Sequence, residues 1–216
     1  MLLSTLFQNP LSFIIFVGVL LITLSVHEYA HARAAEELGD PTARLMGRLT
    51  LNPLAHIDPI GSLMILLVGF GWGKPVPFDP YNLKNPRKDS AIISLVGPLS
   101  NFVMAIVGAV LIRVLMGVDA GFLSSLAILV LPFFVQINLV LGLFNLLPFA
   151  PLDGFKVVAG IIPEDQAKEW YSLERYGMLF LLAFILPLMG NRSMLDIVLD
   201  PAVNYFYNLL VPRLSF

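Results

Sequence analysis

The most distinctive chemistry in this sequence is the His-Glu-x-x-His pattern formed by His27, Glu28 and His31. Residues i and i+4 of an α-helix share one face, so the two imidazoles can bind a single metal ion. Glu28 lies about 100° around the helix, beside that ion, where its carboxylate can act as base for a water that zinc activates. The pattern therefore predicts a zinc site that carries out hydrolysis.

The pattern stands at the end of a strongly apolar stretch, because no side chain between Met1 and Val26 carries a formal charge. Ionisable side chains are costly inside a membrane helix, and those found there usually serve a function. A chance occurrence, which is common in soluble helices, is therefore disfavoured. The stretch also lacks a positively charged beginning, so we interpret it as a retained helix rather than a cleaved signal peptide.

The composition is that of an integral membrane protein. Of the 216 residues, 57% are hydrophobic and 13% are charged, against roughly 25% charged residues in soluble domains. The net charge of -2 says nothing about nucleic acid, but no basic cluster suggests binding to it, so no nucleic-acid partner is expected. Without cysteine, a metal must take histidine and carboxylate ligands. No repeat divides the chain, which predicts one domain over 1–216, with a catalytic core at about 11–155 and C-terminal helices at about 170–212.

The apolar stretches predict an all-α polytopic membrane protein with about four transmembrane helices. The last of the four is marginal, and a further stretch at 194–211 contains Asp196, Asp200 and Asn204, so it either spans in part or lies at the interface. The four predicted spans are 11–36, 91–112, 121–147 and 176–190.

Residues 60–70 are apolar but too short to cross, since eleven residues make only ~16 Å of helix against a hydrocarbon core of ~30 Å. Ten of the thirteen basic residues lie in the connection that contains this segment or in the one after Asp153. Both connections face the cytosol only if 60–70 is re-entrant. We expect a multi-pass protein of the inner membrane, with its N-terminus outside and its active site toward the cytosol.

This topology brings the end of the first span, the start of the second and the end of the third to one side. A catalytic zinc ion usually has three protein ligands, and the remaining candidates are Asp153 and His56. The topology favours Asp153, with His56 as the alternative. Asn101 and Asn145 flank the same site, where they either donate to a substrate carbonyl or developing oxyanion or bond neighbouring helices together.

Two polar connections have the composition of short extended strands near the active site, at 49–51 and 74–78. Pro75 and Pro77 suit an edge strand. We expect these strands to hold an unwound substrate segment as an added strand.

With these motifs the chain resembles the site-2 proteases, the intramembrane zinc metalloproteases of regulated intramembrane proteolysis. It is similar to the compact prokaryotic branch, which lacks PDZ and CBS modules, although Ala150 replaces a proline often found there. The matching stretches are His27–His31, Gly47–Gly61, Gly71–Pro77, Gly97–Asn101 and Asn145–Gly154.

The resemblance implies one zinc ion bound by His27, His31 and Asp153, with Glu28 as catalytic base. It also implies that the two asparagines at 101 and 145 contact substrate or stabilise the oxyanion. His56 receives no role from the resemblance and stays an additional candidate for a substrate contact.

The expected substrates are single-span membrane proteins in the lipid bilayer, cleaved in or near their transmembrane segments. Two other classes use the same histidine and aspartate site: a membrane protein that binds or transports metal ions, and a scaffold without proteolytic activity. The intact His-Glu-x-x-His pattern argues against the scaffold. The sequence does not indicate an oligomeric state.

Overall fold

The protein was analysed as a computed structural model that describes residues 7–68, 71–117, 121–186 and 192–212. Three helices in this part of the chain are long and apolar enough to cross a membrane: Pro10–Glu37 (α1), Pro86–Met116 (α4) and Phe122–Asn145 (α5). At ~1.5 Å per residue they measure roughly 42, 46 and 36 Å, which exceeds the hydrocarbon core. In chain order the helices are α1 (Pro10–Glu37), α2 (Thr42–Leu45), α3 (Pro59–Val68), α4 (Pro86–Met116), α5 (Phe122–Asn145), α6 (Asp153–Ile161), α7 (Glu164–Ser172), α8 (Gly177–Ile185) and α9 (Met194–Leu210).

Local capping chemistry explains where α1 begins and ends. The Asn9 side chain accepts a hydrogen bond from the Ser12 N–H at 3.1 Å, and Pro10 occupies the first turn, where a missing N–H costs nothing. The helix stops before Gly39, whose φ of 109° is a conformation that other residues rarely adopt. The first span thus has defined ends, and its histidines lie in the last three turns.

The central element is α4, which packs against α1, α5 and α6. Its Ala105 and Ala109 are buried against Val135 and Leu139 of α5. Small side chains let helix backbones approach closely in a membrane, where van der Waals packing replaces the hydrophobic driving force. Leu199 of α9 covers the same cluster. Helix α4 is therefore the element against which α1, α5, α6 and α9 pack.

Asp40 joins the end of α1 to the connection before α4. Its buried carboxylate accepts hydrogen bonds from the Asp79 N–H at 2.7 Å, from the Asn82 side-chain amide at 2.7 Å and from Thr42. Burial alone would raise the pKa of Asp40, but these hydrogen bonds lower it below its usual value. The ionised carboxylate fixes the path of residues 79–82 beside the first span.

The structure agrees with an all-helical membrane protein, with shorter C-terminal helices than the sequence suggests. The expected fourth span at 176–190 contains α8, which has nine residues and a length of ~14 Å; residues 187–190 lie outside the described residues. The short apolar segment after Asp58 forms the ten-residue helix α3, about 15 Å long.

The structure corrects the expectation of two short strands. Residues 49–51 and 71–79 have no regular secondary structure and form no ladder. The Lys74 N–H donates to the His56 carbonyl at 2.8 Å, and the Val76 N–H donates to the Glu28 carboxylate at 2.9 Å. Pro75 and Pro77 have no N–H. No donor in 74–77 is left for a neighbouring strand, so the propensity of these residues does not produce a sheet.

Helix α6 is held against α4 at its C-terminal end. The guanidinium of Arg87, in the first turn of α4, donates to the carbonyls of Ala159, at 2.9 Å, and of Ile162. A cation at the last carbonyls of a helix satisfies unpaired acceptors and complements the helix dipole. Asp153 is the first residue of the same helix. Arg87 therefore fixes one end of a short helix whose other end belongs to the candidate metal site.

We expect Arg87→Met to lower the stability by about 1.5–3 kcal/mol, because a charged donor to two carbonyls is lost. The melting temperature in detergent should fall, and zinc occupancy should fall with it because α6 carries Asp153. Lys88→Met is the matched control, since Lys88 is the neighbouring exposed cation. An unchanged melting temperature in Arg87→Met would show that α6 is held by other contacts.

Candidate active site

Three candidate ligand atoms converge at one point between α1 and α6. The Nε2 atoms of His27 and His31 lie 3.0 Å apart, and each lies 3.2 Å from Oδ2 of Asp153. Zinc bonds of about 2.0–2.1 Å in a tetrahedron place ligand atoms ~3.3 Å apart. The triangle therefore has the dimensions of one face of a tetrahedral zinc site, and its fourth corner is left for water or substrate.

The hydrogen bonds behind the site indicate which tautomer a neutral ring adopts at each histidine. His31 Nδ1 lies 2.7 Å from the Ile93 carbonyl oxygen, and His27 Nδ1 lies 2.7 Å from Oδ1 of Asn101. Because both partners are acceptors, each Nδ1 carries a proton, and in the neutral ring each Nε2 therefore presents a lone pair. Two lone pairs and a carboxylate oxygen at this separation repel one another unless a cation lies between them. The donor set thus fits a zinc ion.

A chain of buried amides extends from His27 into the helix bundle. The side-chain amide of Asn101 donates to Oδ1 of Asn138 at 3.2 Å, and that of Asn138 donates to Thr23 Oγ1 at 3.0 Å and to the Phe134 carbonyl at 2.8 Å. The side chains of Asn101, Asn138 and Thr23 are fully buried. The network fixes which way each amide points, and it joins α1, α4 and α5 at the level of the site.

Asn138 was not among the residues that the sequence singled out. The sequence did contain an indication of its role, because Asn138 is an amide in the middle of an apolar span, where an unpaired polar group is expensive. Asn101, for which the resemblance implies a contact with substrate or oxyanion, lies behind His27 and is fully buried.

Glu28 lies beside the three ligand atoms rather than among them. Its carboxylate is buried and accepts a hydrogen bond from the Val76 N–H. It shares the wall of a cavity of about 410 Å³ with the His27, His31 and Asp153 side chains and with Asn145. The two predicted asparagines therefore have different places, one lining the cavity and one behind it.

Asp153 reaches the histidines because the chain turns tightly between α5 and α6. A Cβ on Gly154 would lie 2.3 Å from the Leu146 carbonyl oxygen and 2.5 Å from that of Leu147. Only glycine leaves room for the first turn of α6 against the end of α5. The Asp-Gly dipeptide that reads as a turn signal in the sequence thus delivers the third candidate ligand.

His56, the alternative third ligand, lies apart from this site. In the described part of the chain, the cluster that could hold a metal consists of His27, His31 and Asp153. His56 is buried in the connection before α3, where its Nε2 donates to the Thr50 carbonyl at 2.8 Å. It is not among the residues that line the cavity, so the geometry favours Asp153.

Comparisons with known proteins find relatives that are named as zinc metalloproteases. The family model described as Peptidase family M50 matches residues 118–188. A Bacillus subtilis (strain 168) protein named "Putative zinc metalloprotease YwhC" is 39% identical over 184 residues, which cover 83% of this chain and 84% of that protein. A Mycolicibacterium smegmatis protein named "Putative zinc metalloprotease Rip2" is 30% identical over 200 residues, covering 88% of this chain and 75% of the relative.

The chain belongs to peptidase family M50. Its resemblance to the site-2 proteases is thereby confirmed, and so are the zinc cofactor and the activity of an intramembrane metalloprotease. Metal transport and a silent scaffold, the alternative interpretations, are not favoured. No solved structure matches the chain significantly.

Gly97 shows how closely this M50 peptidase packs its second span against the histidines. A Cβ at Gly97 would lie 2.3 Å from Nε2 and Cε1 of His31 and 2.8 Å from Cε1 of His27. Both rings are held from behind by hydrogen bonds, which would break if the rings moved away. The glycine therefore fits the candidate metal site rather than a turn.

We expect Gly97→Ala to displace the two imidazoles, so that the purified protein contains little zinc and cleaves no substrate. Metal analysis and a cleavage assay measure the two effects. Gly18→Ala is the matched control, because Gly18 also lies inside a membrane helix and a Cβ there meets no atom within 4 Å. Stoichiometric zinc in Gly97→Ala would show that the rings can shift without losing the ion.

Proposed function

We propose that this M50 peptidase hydrolyses peptide bonds in or near the transmembrane segments of membrane proteins. In this proposal His27, His31 and Asp153 bind one zinc ion, and Glu28 is the general base. The observation that carries the proposal is the convergence of the three ligand atoms within 3.2 Å of one another, with the Glu28 carboxylate beside them on one cavity wall.

The chemistry follows from the positions of the side chains. A bound zinc ion supplies Lewis acidity and makes water acidic enough to ionise near neutral pH. Glu28 takes the proton of the attacking water and returns it to the leaving amine. The Val76 N–H holds Oε2 of Glu28 at 2.9 Å, which restricts the rotation of the carboxylate and leaves the other oxygen to receive the proton.

We assign the two asparagines different tasks. Asn145 lines the cavity, and its amide can donate a hydrogen bond to the substrate carbonyl as negative charge develops on it. Oδ1 of Asn101 accepts a hydrogen bond from the Nδ1–H of His27 and so holds that ring in the orientation that zinc needs. Asn101 is thus a positioning residue, and we no longer expect it to contact substrate.

The shape of the molecule supports a substrate that arrives through the lipid. An apolar groove of about 440 Å³ adjoins the active-site cavity and shares Leu20, Ile65 and Leu141 with it. Its remaining walls come from α1, α5 and α9 and from Gly71, and Gln136 is a polar group within it. A transmembrane helix hides its peptide groups, so it must unwind before cleavage. We propose single-span membrane proteins as substrates, with this groove beside the unwinding segment.

We also propose the membrane arrangement that the basic residues indicate, with the N-terminus outside and the active site toward the cytosol of an inner membrane. Ion pairs of Arg33 and Arg44 with Glu36, and of Arg33 with Glu37, form a charged end to α1. His31 and His27 lie about 9 and 15 Å from that end. In this arrangement α3 is re-entrant and 176–190 is a fourth span.

The first test compares zinc content with cleavage of a reconstituted single-span protein. We expect Glu28→Gln to lower the rate by about 10²–10⁴-fold with zinc retained, because only the base is lost. Asp153→Asn should lose zinc and activity together, since a charged ligand becomes a weaker neutral one. Retained cleavage in Glu28→Gln would exclude the proposed mechanism.

The effect of added zinc on activity distinguishes the roles of Asn101 and Asn145. Asn101→Ala should weaken zinc binding by about 10–100-fold, and added zinc should restore part of its activity. Asn145→Ala should keep its zinc and lose about 10²–10³-fold in kcat, as after removal of an oxyanion donor. If added zinc restored Asn145→Ala instead, the two roles would have to be exchanged.

A further inference from the structure

Arg48 is a buried cation in the connection between α2 and α3. Only 6% of its surface is exposed, and in the described part of the chain it forms no ion pair with a carboxylate. Its Nη2 donates to the carbonyl oxygens of Lys74 and, at 3.1 Å, of Pro75. Burying a guanidinium without an anionic partner is expensive, so the contact with these two carbonyls calls for an explanation.

The peptide group between Pro75 and Val76 lies between Arg48 and Glu28. Its carbonyl oxygen accepts from the guanidinium, and its N–H donates to Oε2 of Glu28 at 2.9 Å. A single peptide plane therefore connects a buried cation to the proposed catalytic base. Hydrogen bonds in such a chain polarise one another, and the charge of Arg48 strengthens the N–H as a donor.

The neighbouring contacts hold this peptide group in place. The Lys74 N–H donates to the His56 carbonyl at 2.8 Å, and the His56 ring is bonded to the Thr50 carbonyl. The Arg48 N–H donates to the Ala43 carbonyl at 2.8 Å. The connection from α2 to α3 thus holds the segment 74–76 from one side, while Glu28 meets it from the other.

Building on the proposed function, we propose that Arg48 is the positioning residue for Glu28. By binding the carbonyls of Lys74 and Pro75, Arg48 holds the Val76 N–H against the carboxylate. The carboxylate then stays beside the metal ligands as a base and does not turn toward the ion as a fourth ligand.

A merely structural role for Arg48 makes different predictions, so the test measures several quantities. If Arg48 positions the base, Arg48→Met should lower kcat per bound zinc about 100-fold, with KM and zinc content close to those of the wild type. Arg48→Lys, which keeps a charge but offers a single donor group, should recover part of that loss but not all of it. Arg44→Met is the control, because Arg44 is an exposed arginine whose ion pair with Glu36 contributes little.

Hydrogen exchange supplies a readout that does not depend on activity. Because residues 75 and 77 are prolines, the stretch 74–77 has only two exchangeable backbone amides, those of Lys74 and Val76. Arg48→Met should speed exchange at Val76 measurably, as the N–H is released from Glu28. Arg44→Met should leave the exchange as in the wild type.

A double-mutant cycle tests whether the two residues act through the same peptide group. Val76→Pro removes the N–H, and its effect on kcat should not add to that of Arg48→Met. Val76→Ala shortens the side chain but keeps the N–H, so its kcat should exceed that of Val76→Pro at least tenfold. Fully additive losses would overturn the proposal.

The outcomes separate this proposal from the proposed function. If the wild type cleaves and Glu28→Gln does not, the proposed function stands, and a wild-type kcat in Arg48→Met then overturns the role of Arg48 alone. If the zinc-loaded wild type cleaves no membrane substrate, both proposals fall. If Arg48→Met does not fold, Arg48→Lys decides: a lower kcat with normal KM and melting temperature supports the proposal, and a wild-type kcat overturns it.

Discussion

The orientation of two imidazoles inside an apolar bundle is the constraint on which this structure depends. Each ring has two nitrogens, and only one can face the metal, so the other must donate to an acceptor that the packing supplies. Ile93 and Asn101, both on α4, provide those acceptors at 2.7 Å. The distance between α1 and α4 is therefore set by these two hydrogen bonds as well as by side-chain packing. A shift of α4 by one turn would remove both partners at once.

Helix α4 builds the site without contributing a ligand. It provides a glycine against the rings at position 97, two acceptors behind them and an arginine at position 87 that holds α6. The proposed ligands come from α1 and α6, both of which pack against it. The residues proposed to bind the ion and the residues that orient them thus belong to different helices. This is why the motifs that identify the family are spread along the chain.

The sequence predicted the residues of the candidate site better than the contacts that hold those residues in place. Helical spacing placed His27 and His31 on one face, and span counting brought Asp153 to the same depth, because both arguments need only periodicity and length. Asn101 and Asn145 look alike in the sequence, and helix packing alone decides which of them lines the cavity. The expected strands failed because the donors of residues 74–77 are satisfied by the His56 carbonyl and the Glu28 side chain. Arg48 could not be assigned, since its partners are backbone carbonyls that no residue pattern reveals.

The acceptors behind the histidines are an amide and a backbone carbonyl, neither of which carries a charge. Zinc-bound histidines often donate to carboxylates instead. Here the two neutral imidazoles, the carboxylates of Asp153 and Glu28, and a divalent ion have formal charges that sum to zero. A carboxylate in place of Asn101 would leave a net negative charge in a medium that solvates ions poorly. The amide therefore lets the loaded centre remain electrically neutral at membrane depth, without a counterion drawn from the lipid or from water.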